Sequence, residues 1–125
     1  AAEIFEPAAA AFTPLPKPPD LALADHTATL LPDGSVLIVG GVLAPPGGVP
    51  YPTAFATVFE PRSLRWNVTG LPHAPHWKHA AVLLPDGAVV VAGGEKGHPE
   101  IYVDEIWKDL PAALAARLDA VRPPR

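Results

Sequence analysis

The chain has 125 residues, 49% of them hydrophobic and 18% charged, which sets it apart from disordered compositions and gives enough chain for one ordinary core. A net charge of −4 with scattered Lys and Arg offers no basic stripe to phosphates, so no nucleic-acid partner is expected, and no apolar run approaches the ~20 residues of a membrane helix. The absence of Cys excludes disulfides, thiolate metal sites and a cysteine nucleophile, and leaves the compartment unread.

Eighteen Pro and ten Gly break up any long helix, so short strands joined by turns are expected throughout. Residues 3–16, "EIFEPAAAAFTPLP", place an aromatic, a turn, a second aromatic and then Leu-Pro. They predict a hairpin in which Phe5 faces Phe12. Residues 26–41, "HTATLLPDGSVLIVGG", predict a tighter hairpin. Pro32 presets φ for the first turn position, and Gly34 accepts the left-handed conformation that closes the loop. The strand after the turn, Val36 to Val39, is apolar on both faces, as expected of sheet surface covered from two sides. A loop at 42–52 follows, rich in Pro and Gly.

Both hairpins then recur. Residues 57–72, "TVFEPRSLRWNVTGLP", and 100–111, "EIYVDEIWKDLP", repeat the first type, with Phe59 opposite Trp66 and Tyr102 opposite Trp107. Residues 79–94, "HAAVLLPDGAVVVAGG", repeat the second at a spacing of 53 residues. Internal repetition of this kind marks a repeat architecture. After Pro111, Leu114, Leu118 and Val121 at i, i+4 and i+7 predict a short amphipathic helix that stops before Pro123.

The double glycine, the Leu-Pro-Asp-Gly turn, the aromatic with Glu-Pro and the second aromatic stand in an order that resembles the kelch repeat of β-propellers. That group includes the bacterial galactose-oxidase-like proteins. The resemblance spans Glu3 to about Pro111 and departs from the pattern in Phe5 and Phe59, where Tyr is usual, and in the shortened last turn. It implies an all-β fold of four-stranded antiparallel blades. Residues 1–22 would form the outer hairpin of a partial blade, 23–75 and 76–111 two full blades, and 112–125 a helical tail. Propellers have typically four to eight blades, so further blades from the same chain or from other copies are expected as partners. The chain also lacks an initial Met and a leader pattern, and is expected to be a piece of a longer protein.

In such a blade the loops at 42–52 and 95–99 and the connectors at 17–25 and 73–78 share one rim, the expected place for function. Its candidate binding residues are Tyr51, His73, His76, Trp77 and His98. His73 and His76 are also the candidate metal ligands. Pro72 and Pro75 favour an extended connector that keeps the two imidazoles apart, so no metal or other cofactor is expected. His79 matches His26 in the repeat and is expected to serve structure, through a hydrogen bond at the mouth of the first strand. Glu95, Lys96, His98 and Glu100 contain an acid, a base and a cation, a composition equally ordinary in a solvated loop, and no catalytic set is assigned.

The expected function is therefore a scaffold that binds a protein or glycan through its long-loop rim. The alternative is a segment of a propeller enzyme acting on carbohydrates, an oxidase or epimerase, with its catalytic residues elsewhere. The copper-oxidase pattern implied by the resemblance needs a Cys crosslinked to Tyr, which this chain cannot supply.

Overall fold

Short strands and tight turns organise the chain, seen here in a computed structural model that describes residues 3–15, 23–94 and 99–110. Thirteen strands and no helix occur among the described residues. The helix expected at 112–125 lies outside them.

Two four-stranded antiparallel sheets form the body. The first joins β4 (Thr27–Leu30), β5 (Val36–Val39), β8 (Ala56–Glu60) and β9 (Arg65–Val68) in that order. The second joins β10 (Ala80–Leu83), β11 (Val89–Ala92), β12 (Glu100–Val103) and β13 (Ile106–Asp109) in the same order. A separate hairpin of β1 (Glu3–Glu6) and β2 (Ala11–Pro14) precedes them.

The register follows the residue pattern. Phe5 opposes Phe12, Phe59 opposes Trp66 and Tyr102 opposes Trp107, with ring centroids 5.0, 4.7 and 5.1 Å apart. In the inner turns Gly34 and Gly87 adopt φ of 90° and 92°. Their N–H groups donate to Leu31 and Leu84 carbonyls at 3.0 and 2.9 Å. Asp33 Oδ1 accepts the Ser35 N–H at 2.9 Å, and Asp86 Oδ1 accepts the Ala88 N–H at 3.0 Å, so each aspartate ties its turn to the next strand. The shortened outer turn is closed by Asp104 and Glu105, both at positive φ, the geometry that suits two-residue hairpins.

The two sheets stack with β4 beside β10. Leu37, Val39 and Ala56 of the first sheet pack against Val89, Val91, Tyr102 and Trp107 of the second, all buried. At ~25 cal/mol per Å² this apolar contact is the main cohesive term between them. Trp107 Nε1 also donates to Thr69 Oγ1 at 3.3 Å across the junction.

Coverage from two sides is not uniform. Val89, Val90 and Val91 are all buried, whereas β5 buries Leu37 and Val39 and leaves Val36 and Ile38 partly open. The loop at 42–52 also differs from expectation. It contributes β6 (Val42–Leu43) and β7 (Tyr51–Pro52), which with β3 (Leu23–Ala24) make a third sheet of order β3-β6-β7. Pro52 is tolerated there because β7 is an edge strand.

Candidate functional site

The connector at 73–78 crosses the junction of the two sheets, and glycine makes the crossing possible. A Cβ on Gly40 would stand 2.1 Å from the His76 carbonyl oxygen, and one on Gly41 would stand 2.7 Å from that of Ala24. Both adopt positive φ, and the Gly41 N–H donates to the His76 carbonyl at 2.7 Å. Gly94 repeats the arrangement with the Trp77 carbonyl, 2.4 Å from a hypothetical Cβ. The connector is thus seated on bare backbone.

Glu100, the first residue of β12, clamps it from the other side. Its side chain is fully buried, and its Oε1 accepts the His73 N–H at 2.6 Å. Its Oε2 accepts the Ala74 N–H at 3.3 Å and the His76 Nε2–H at 2.5 Å. One carboxylate therefore bends the connector and fixes the tautomer of a buried imidazole. The ordinary cost of burying a carboxylate is offset by three donors aimed at it.

His73 lies on the solvent side of the same carboxylate. Its Nδ1–H donates to Asp109 Oδ1 at 2.8 Å and stands 3.7 Å from Glu100 Oε1. The hydrogen bond to Asp109 raises its pKa above the ordinary 6.5. His73, Glu100 and Asp109 bring one ligand atom each within 4.8 Å of one another, with Glu100 buried and the other two exposed, and carboxylates on both sides favour the charged form of the imidazole.

His79 sits deeper, with its ring 5.7 Å from that of His76. Its Nε2 shares a hydrogen bond of 2.9 Å with Thr27 Oγ1, at the mouth of β4 in the neighbouring sheet. Burial, and after it the nearby His76, lower its pKa to about 4, so it is neutral at physiological pH. The Nδ1 atom of His76 is buried and bonds no protein group among the described residues, while the His79 ring lies against the Val39 backbone.

One carboxylate thus reaches both His73 and His76, the first through its backbone N–H with the ring 3.7 Å away and the second through its imidazole. The cluster of possible ligand atoms around Glu100 contains His73 and Asp109 and does not include His76. Of the other candidate residues, Tyr51 is exposed on edge strand β7, and Trp77 is half-buried with its carbonyl against Gly94. His98 lies outside the described residues. Glu100 and Asp109 were not singled out as binding or ligand residues by their sequence positions. The available signal was that Glu100 recurs as Glu3 at the head of the "EIF" and "EIY" strands.

No protein-family profile matches the chain, and no curated protein resembles it at a significant level.

Proposed function

We propose that the two four-stranded sheets are blades of a kelch-type β-propeller and that their loop-and-connector rim binds a protein or glycan partner. The blade reading draws its support from the repeated strand order and from the face-to-face packing of Leu37 and Val39 on Val89 and Val91. The ring it implies requires more blades than this chain holds.

One observation carries the binding role. The rim is preorganised by a buried clamp yet presents polar and aromatic groups to solvent: the His73–Asp109 pair, with both side chains about half exposed, and Tyr51 on the third sheet. Rigid support beneath exposed aromatic and charged side chains suits recognition, because little ordering is needed on binding. The acceptor-rich pair and an aromatic face fit the hydroxyls and ring faces of a sugar as well as a polar peptide.

Glycan-array binding and pull-down with the intact chain test this reading. Tyr51→Ala, Trp77→Ala and His73→Ala are expected to weaken capture at least about tenfold while the chain still unfolds cooperatively. Capture unaffected by all three would remove the rim as the binding surface.

A further inference from the structure

In both four-stranded sheets the third strand has two partners. β8 pairs with β9 outside and β5 inside, and β12 pairs with β13 outside and β11 inside. β1 is the third copy of that strand by sequence and by its Phe5–Phe12 register, and it pairs with β2 alone among the described residues. Among the described residues, its inner edge is therefore an unpaired row of backbone donors and acceptors.

A side-chain cleft lies next to that edge. On the second sheet, Val89, Val91, Tyr102 and Trp107 are covered by Leu37 and Val39 of β5. Their counterparts on the first sheet are Val36, Ile38, Phe59 and Trp66, and these line an apolar cleft of about 360 Å³ shared with Ile4 of β1. Ile4 precedes Phe5 as Val58 precedes Phe59, so it takes the covering place of Val58. Leu15, directly after β2, also lines the cleft, and among the described residues no strand lies inside β1 as β5 lies inside β8.

We propose that the β1 edge and this cleft bind a β-hairpin of the "LLPDGxVLxVGG" kind. Its strand after the turn adds antiparallel to β1, as β5 does to β8, where Val36 opposes Phe59 and Leu37 opposes Val58. The counterpart of Val36 then faces Phe5, that of Leu37 faces Ile4, and the counterparts of Leu37 and Val39 fill the cleft. Main-chain bonds supply affinity and the alternate side chains supply register. Neither inner hairpin of the chain is the donor, because β5 and β11 are already held by β8 and β12. The inference rests on the blade reading and is independent of what the rim binds.

The test supplies the hairpin in cis. Residues 1–2 of the 125-residue chain are replaced by an added copy of residues 26–41, joined to Glu3 by the five-residue sequence of 95–99 that links the same two strands in the second repeat. Amide exchange of residues 3–6 is expected to slow by on the order of tenfold or more, with a higher melting temperature. The same fusion carrying Leu37→Asp and Val39→Asp in the added copy alone is expected to show neither effect. Unprotected residues 3–6 in the first fusion, or equal protection by the second, would overturn the proposal. Protection at β1 with no ligand capture by the rim would sink only the rim reading.

Discussion

Glu100 and His76, 24 residues apart in the chain, meet at 2.5 Å with both side chains fully buried. The same carboxylate holds the His73 and Ala74 amides, so one side chain joins the second sheet to the connector that enters it. Glu100→Ala would strip three donors of their acceptor, at roughly 1–3 kcal/mol for each buried group left unsatisfied. A loss of about 3 kcal/mol or more is expected in urea unfolding, with Glu100→Gln losing less because its amide oxygen still accepts. Equal losses from the two would show that packing, not acceptance, matters at this position.

Gly40 and Gly93 are counterparts in the repeat and separate two costs. Both have positive φ, at 64° and 80°, so alanine at either site strains the backbone by about 1–2 kcal/mol. Only Gly40 is overlain: its Cβ would meet the His76 carbonyl at 2.1 Å, whereas that of Gly93 meets nothing within 4 Å among the described residues. Gly93→Ala is expected to lower the unfolding free energy by the backbone term alone. Gly40→Ala is expected to cost several kcal/mol, since overpacking adds ~1–3 kcal/mol and backbone cannot turn aside like a side chain. Denaturant midpoints of the two variants check the difference.

Features fixed by local chemistry could be read from residues alone. Each aromatic pair and each Pro-Asp-Gly turn depends on near neighbours, and the register of Phe5, Phe59 and Tyr102 follows from turn length. The double glycine was legible as a close approach, though not what approaches. The Thr27–His79 bond was legible as to its place, because a repeated His at a strand mouth has few partners. The Glu100 clamp was not. A lone acid at the head of an apolar strand looks like a solvated loop end until a segment 24 to 27 residues away is folded over it. The third sheet escaped for another reason: strands of two residues in a loop rich in Pro and Gly have no periodicity to detect.

Equivalent aromatics differ in their surroundings, and stability should follow. Trp107 is 4% exposed beneath the first sheet and donates to Thr69, while its counterpart Phe12 is 66% exposed. Trp107→Ala is expected to destabilise by about 3–5 kcal/mol. Phe12→Ala is expected to cost less than about 1 kcal/mol in the chain as it stands, since its ring keeps water on one side and Phe5 on the other. Calorimetric melting of the two variants measures the contrast, and a comparable loss from Phe12→Ala would mean that its face is covered.

Protonation of His79 should set the acid limb of stability. Burial lowers its pKa to about 4 in the folded chain, against 6.5 for the ordinary side chain. Between those values the unfolded chain takes up a proton that the folded chain refuses, so stability is complete above pH 6.5 and falls as pH drops toward 4. His73 works in the opposite sense. Its hydrogen bond to Asp109 raises its pKa, so its contribution is complete below 6.5 and fades as pH rises through the raised value. Because His73 lies in solvent its effect is the smaller, and the net trend from pH 7 to pH 4 is loss. Urea midpoints measured across that range are expected to decline, and His79→Gln, whose amide can still reach Thr27 Oγ1, should flatten the decline. An unchanged slope in that variant would move the acid sensitivity from His79 to the carboxylates.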